Sequence, residues 1–156
     1  MRFVCSDVGL IVKNALESLG DDCVLLMSFD TNQDPKTTSD QYTKTGFSDL
    51  VLNALSVMNK QLQANFDPDA FMYECHWHGE DKRVDHCLVA QSKQTVTLDG
   101  RTYLFEKNEP LRVYYGKKRT VEDFSKIVRS VGGVVKRTFF DEQKFMCLAW
   151  IEKTRL

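Results

Sequence analysis

Two nearly unbroken apolar runs, Cys23 to Phe29 and Phe145 to Ile151, stand toward opposite ends of the chain and constrain its fold more than any other feature. Neither approaches the roughly 20 apolar residues of a membrane helix. Bounded by polar residues, both read as strands. Apolar side chains on both sides of a strand ask for cover on both faces, as inside a parallel sheet. The run at Phe145 must lie within a sheet, and the run at Cys23 follows a helical stretch by a short loop. Both ends of the chain are therefore expected in one sheet layered with helices.

The rest of the pattern fills in around these runs. Met1 to Cys5 reads as a short buried strand. Ser6-Asp7-Val8-Gly9 then leads into a helix with Ile11, Val12, Ala15, Leu16 and Leu19 on one side and Gly20 as its C′ residue. Asp30 falls at the carboxyl end of the next strand, the end where open α/β sheets place ligands. Thr31 to Thr45 is polar, contains Pro35 and reads as a loop with at most one helical turn. Apolar positions 47, 50, 51, 54, 55, 58 and 62 predict an amphipathic helix that ends near Asn65, before Pro68.

From Phe71 the period changes to two. Phe71 to Trp77, Arg83 to Val89, Gln94 to Leu98, Thr102 to Phe105 and Leu111 to Tyr115 predict an antiparallel meander, with a type I′ turn at Asp99-Gly100. Thr120 to Asp123 resembles a capping box with Asp in place of Glu. The helix behind it turns Val121, Phe124, Ile127, Val128 and Val131 inward, and Gly132-Gly133 stops it. Val134 to Phe140 and Lys144 to Glu152 form a closing hairpin.

Composition narrows the partners. With 42% hydrophobic and 28% charged residues, the chain is globular and not disordered. Its 21 basic and 22 acidic residues leave a net charge of −1, so neither nucleic acid nor a membrane is expected as partner. The five cysteines show no C-x-x-C spacing and suit reduced, mostly buried thiols. The run Phe3-Val4-Cys5 is broken at once by Ser6 and Asp7, unlike a signal peptide, and a cytoplasmic location is expected.

A strand–helix–strand opening, an inserted antiparallel unit, a helix and a closing hairpin follow the order of the second half of a class I methyltransferase. The expected fold class is α/β: the C-terminal half of a Rossmann-like sheet over 1–36 and 117–156, with an inserted antiparallel α+β substrate-binding domain over 37–116. About four strands would leave a hydrophobic face and an edge uncovered. A missing N-terminal half or self-association is expected to cover them.

Local sequence carries the likeness further. Val24-Leu25-Leu26-Met27-Ser28-Phe29-Asp30, Asp34-Pro35, Tyr42, Gly46, Leu52-Asn53-Ala54-Leu55 and Met58-Asn59-Lys60-Gln61-Leu62 form one block. Phe66-Asp67-Pro68-Asp69-Ala70-Phe71, Trp77, Val84-Asp85, Phe105-Glu106-Lys107, Lys117 and Glu122-Asp123-Phe124 continue it. The whole resembles the histidine-specific, S-adenosylmethionine-dependent methyltransferase family. That resemblance implies an N-methyltransferase acting on an amino acid or related amine. In the family, S-adenosylmethionine (SAM) methylates the α-amine of histidine, opening ergothioneine synthesis, and fungal relatives act on tryptophan-derived amines.

Amine methylation is accelerated mainly by holding the nitrogen in line with the methyl group, so positioning residues are expected rather than catalytic ones. By resemblance, Tyr42 contacts substrate, Ser48 stands near its carboxylate, and His86 replaces a methionine beside it. Ser6 and Gly9 match the loop G-S-x-x-G-N, here Cys5 to Leu10, and are the expected cofactor-side residues. The family's imidazole-reading E-x-S pair aligns with Val113 and Tyr115, so selectivity for histidine is expected to be lost. No G-x-G occurs in the chain, and the SAM-binding turn is expected to be absent. The alternative function is a non-catalytic relative acting as a binding or interaction module.

Two other groupings have simpler readings. If residue 76 faces 85, then His76, His78 and Asp85 share a face, yet their spacing matches no zinc motif and no metal is expected. Lys117-Lys118-Arg119 reads as a solvated basic loop, and Tyr114-Tyr115 and Phe139-Phe140 as core.

Overall fold

The computed structural model describes residues 8–44 and 46–154. The strand expected over Met1 to Cys5 lies outside them, as does Ser6. In chain order the elements are α1 (Val8–Ser18), β1 (Val24–Asp30), α2 (Pro35–Thr43), α3 (Phe47–Leu62), a 3-10 turn (Pro68–Ala70), β2 (Phe71–His78), β3 (Arg83–Ala90), β4 (Gln94–Leu98), β5 (Arg101–Phe105), β6 (Pro110–Lys117), α4 (Val121–Ser130), β7 (Gly133–Phe140) and β8 (Met146–Lys153). The chain divides into two compact units. Asp34–Gly116 forms one, and the segments on either side of it form the other.

The unit built from the two ends holds a three-stranded sheet in the order β1-β8-β7. Leu25, Met27 and Phe29 stand opposite Ile151, Ala149 and Cys147, so all six share one face. That face packs on Val12 and Leu16 of α1 and on Phe124 and Val128 of α4. The rings of Phe29 and Phe124 stack with centroids 4.1 Å apart. Burial of these side chains is the unit's main source of stability, at roughly 1.5–3 kcal/mol for each large one.

β8 pairs antiparallel with β7, as expected of the closing hairpin, and antiparallel with β1 on its other edge. Among the described residues the apolar runs bury one face, because α1 and α4 pack against the same side, and the expected uncovered face is the other. On the other face Leu26 is 53% exposed, and Met146, Leu148 and Phe139 are exposed beside it. Trp150 shares this face; its indole N–H donates to Glu152 at 3.1 Å and Arg137 covers its ring.

Lys118 corrects the reading of its basic run. It is 2% exposed, and its ammonium donates to the carboxylate of Asp30. A lysine can be buried when its charge meets a carboxylate held in place. Asp30 is held from two further directions: its Oδ1 accepts from the Asn32 amide at 2.9 Å, and its carbonyl accepts from the Arg119 amide at 3.0 Å. The carboxyl end of β1 is thus closed by an ion pair.

In the other unit β2, β3 and β6 form a sheet, while β4 and β5 form a separate two-stranded ribbon. The expected single meander is therefore split. Asp99 (φ 48°) and Gly100 (φ 71°) make the type I′ turn of the ribbon. Val96 and Phe105 of the ribbon join Val51 and Leu55 of α3 and Phe71 and Leu88 of the sheet in one core. Asn59 locks the end of α3. Its side-chain amide donates to the Phe66 carbonyl at 2.7 Å and accepts from the Phe66 amide at 2.8 Å.

The segment expected as a loop from Thr31 contains the full helix α2. Asp34 caps it, accepting from the Thr37 amide at 2.7 Å, and Pro35 occupies the first turn. At the other ends of the chain, Thr120 caps α4 by accepting from the Asp123 amide at 3.0 Å. α1 ends at Ser18, and Gly20 does not take the left-handed conformation expected of a C′ glycine, which Gly132 (φ 84°) adopts after α4.

Two stability measurements test this architecture. A Cβ added at Gly133 would stand 2.8 Å from Val128 and 2.9 Å from Leu16, both in the core. Gly133→Ala should therefore destabilise the protein by about 1–3 kcal/mol in urea unfolding, and an unchanged midpoint would show that the packing is looser. Asp30→Ala, which leaves the Lys118 charge buried without its carboxylate, should cost about 3 kcal/mol. Lys118→Met should cost less, because Asp30 is partly solvated; the reverse order would contradict the assigned burial.

Candidate functional site

The chemistry-bearing side chains of the 34–116 unit gather on the two faces of β3. His76 stands opposite Asp85 and Cys75 opposite His86, so the expected register holds. Successive strand residues point to opposite faces, which sends Asp85 and His86 to different sides of the sheet. His86 is 0% exposed and Asp85 6%. Burial of two polar residues in succession requires partners on both faces.

On the His86 face the partners are aromatic. Its ring meets Tyr42 edge-on at 4.5 Å and Phe47 at 4.7 Å, and stacks on Tyr114 at 5.5 Å and Tyr73 at 6.0 Å. The Tyr73 hydroxyl lies 2.7 Å from His86 Nδ1. Burial, reinforced by Cys75 beside it, pushes the Tyr73 hydroxyl well above its ordinary pKa. Tyr73 therefore stays protonated, and its hydroxyl shares one hydrogen bond with Nδ1 whose donor is set by the imidazole tautomer. Tyr42 reaches this box from the last turn of α2, and Phe47 from the first turn of α3. Tyr114 is 40% exposed and Tyr42 half-buried, so these two rings form its rim.

On the opposite face Asp85 collects two guanidinium groups and an imidazole. Arg83 places Nε 2.7 Å from its Oδ1 and donates from a terminal nitrogen to Oδ2 at 3.3 Å. His78 Nε2 lies 3.2 Å from Oδ2, and Arg112 donates to the same oxygen at 3.4 Å. Both guanidinium groups stand 5.8 Å from the Tyr115 ring centroid. His76 pairs instead with Glu74, at 3.0 Å. Among the described residues no group of three or more His, Cys, Asp or Glu side chains could hold a metal. The arrangement is an ion-pair cluster that compensates one buried carboxylate.

The structure brings only some of the expected site residues together. Tyr42 and His86 touch. Ser48 lies in the first turn of α3 with its hydroxyl 3.5 Å from the Asp49 carboxylate. Val113 packs against the core shared with Leu88, and Tyr115 lies under the two arginines. Phe47, Tyr73 and Tyr114 were not singled out by sequence reasoning as site residues. The hairpin register, with Tyr73 and Cys75 on the face of His86, was the available signal for Tyr73. Tyr114, read as core, instead forms the rim.

On the cofactor side, Gly9 is buried in α1 and Leu10 is exposed, while Ser6 lies outside the described residues. A backbone cradle for SAM needs a glycine turn between a strand and a helix. Gly46, Gly100 and Gly132 have positive φ and open space at their Cβ positions. They stand between α2 and α3, within the β4–β5 turn, and between α4 and β7. None of these three lies between a strand and the helix that follows it.

Comparison with known proteins supplies the class. A family model described as histidine-specific methyltransferase, SAM-dependent, matches residues 6–153. The chain belongs to that family. Histidine N-alpha-methyltransferases of Mycobacterium tuberculosis and Mycolicibacterium smegmatis are each 37% identical over 46 residues, covering 30% of this chain and 14% of the relative. A SAM-dependent methyltransferase structure from Clostridium acetobutylicum aligns over 95% of this chain and 51% of its own, with 12% identity and a TM-score of 0.46. The CcbJ methyltransferase of Streptomyces caelestis aligns over 92% and 49%, with 10% identity and a TM-score of 0.39. The chain thus spans about half the length of these solved methyltransferases. Among the described residues no helix is long and apolar enough to cross a membrane.

Because α2 carries Tyr42 into the box, its cap makes the site sensitive to acid. Hydrogen bonds from Thr37 hold the Asp34 carboxyl below its ordinary value of 3.8. A carboxylate depressed in the folded state contributes stability that is complete above the unfolded value and lost as pH falls through the folded one. Carbon-detected NMR should show Asp34 titrating below pH 3.8, with the Tyr42 resonances shifting in step. Independent titration of the two would uncouple the cap from the site.

Proposed function

We propose that this chain supplies the acceptor-binding part of a SAM-dependent N-methyltransferase acting on an amino acid or related amine. The observation that carries the reading is the placement of Tyr42: the residue matched by resemblance to substrate contact forms the rim of an aromatic box with Tyr114. Aromatic faces attract ammonium groups by about 0.5–2 kcal/mol each, so such a rim suits an amine. The co-substrate of the family supplies a sulfonium methyl group. The part of this chain is to hold the amine in place and shield it from water.

In this reading 37–116 is the inserted substrate-binding domain, and 1–36 with 117–156 is the C-terminal half of a Rossmann-like core. The closing β7–β8 hairpin and the one-sided cover of the β1-β8-β7 sheet support that assignment. An open apolar face of this kind suits a second layer, either from an N-terminal half or from a second copy. The described cysteines are all free thiols, which suits a reducing compartment such as the cytoplasm.

Two measurements test the reading. Tyr42→Ala should weaken binding of a primary amino acid or amine about tenfold in NMR titrations, while Tyr42→Phe keeps most of it. Equal binding by all three proteins would remove Tyr42 from the site. The chain alone should self-associate in sedimentation velocity, and replacing Leu26 and Leu148 by lysine should restore a monomer. A monodisperse wild-type monomer at high concentration would defeat the uncovered-face argument.

A further inference from the structure

The box around His86 has the properties of a ring-binding subsite, except that it is full. Four aromatic rings surround one imidazole at centroid distances between 4.5 and 6.0 Å. Aromatic contacts span about 4.5–7 Å between centroids, so no slot remains for a second ring among them. The Tyr73 hydroxyl, 2.7 Å from His86 Nδ1, is placed as it would be to recognise an azole ring. Filling such a space with an aliphatic side chain would avoid the cost of burying a polar ring. Here the imidazole comes from the chain itself.

We infer that His86 is the specificity-determining residue of the acceptor site, its imidazole occupying the side-chain subsite beside Tyr42. The inference rests on the acceptor-binding reading above. Its consequence is a substrate class: a primary amine or amino acid without a ring in its side chain, held at the rim by Tyr42 and Tyr114. A ring-bearing acceptor such as histidine is rejected, because its side chain would have to displace a buried, hydrogen-bonded imidazole. Rejection by a filled subsite needs no repulsive charge, only volume.

The test uses the full chain, with imidazole, L-histidine and L-alanine as probes and the tyrosine ring resonances as readout. Wild type should bind L-alanine in preference to L-histidine and should not take up imidazole. His86→Ala leaves a cavity of ring shape, and such cavities bind the matching small molecule. That variant should bind imidazole and L-histidine at least about tenfold more tightly than wild type, and adding Tyr73→Phe should remove most of the gain. Imidazole taken up by wild type at Tyr42 and Tyr114, or L-histidine bound there as tightly as L-alanine, overturns the inference whether or not the variant folds. A folded His86→Ala protein that takes up no imidazole, or imidazole but not L-histidine, overturns it as well. Wild type binding no amine at all would overturn the acceptor-site reading itself, and this inference with it. The imidazole arm alone, if it fails, overturns only the inference. No arm depends on methyl transfer.

Discussion

Burial of an aspartate and a histidine in succession on β3 is the constraint from which the rest of the 34–116 unit follows. Adjacent strand residues face opposite sides, so one group of partners cannot serve both. The carboxylate requires charge, which Arg112 from β6 and Arg83 from β3 itself provide, and the His78 imidazole of β2 approaches it as well. The imidazole requires a hydrogen bond and a snug apolar surround, supplied by Tyr73 and three further rings. Two of those rings come from α2 and α3. The buried histidine therefore ties the helices to the sheet at the place where Tyr42 reaches the surface.

Much of this architecture was legible in the sequence because it is local. The period of α3, the type I′ turn at Asp99-Gly100 and the Thr120 cap each depend on a few neighbouring residues. α2 was legible in principle: Asp34-Pro35 with Thr37 is a cap followed by a favoured first-turn residue. The polar composition of the helix concealed it, since only Thr38 is buried and there is no apolar stripe to read. Lys118 was not legible in the same way. Its burial depends on Asp30, 88 positions away, and no local pattern distinguishes a lysine about to meet a carboxylate from one facing water.

The apolar runs were legible as strands, but not which of their faces would be covered. A strand with apolar residues on both faces implies cover on both, but not that the cover comes from the same chain segment. α1 and α4 pack on one side, and Leu26, Met146 and Leu148 stay exposed on the other. The closing hairpin was legible as well, and β8 turns back from β7 to lie antiparallel between β7 and β1.

On the proposed acceptor-binding reading, family likeness and acceptor selectivity reside in different residues of this chain. Asn59 and Asp67, from the most recognisable parts of the family block, hold architecture: one ties α3 to Phe66, the other accepts from the Asp69 amide and caps the 3-10 turn. Their geometry is backbone-directed and indifferent to what binds nearby, so the likeness persists whatever the substrate. Val113, Tyr115 and His86 direct their side chains into a core, an arginine pair and an aromatic box instead. On the proposed reading, the side chains that select the acceptor belong to the box around His86, and the backbone locks at Asn59 and Asp67 are independent of it.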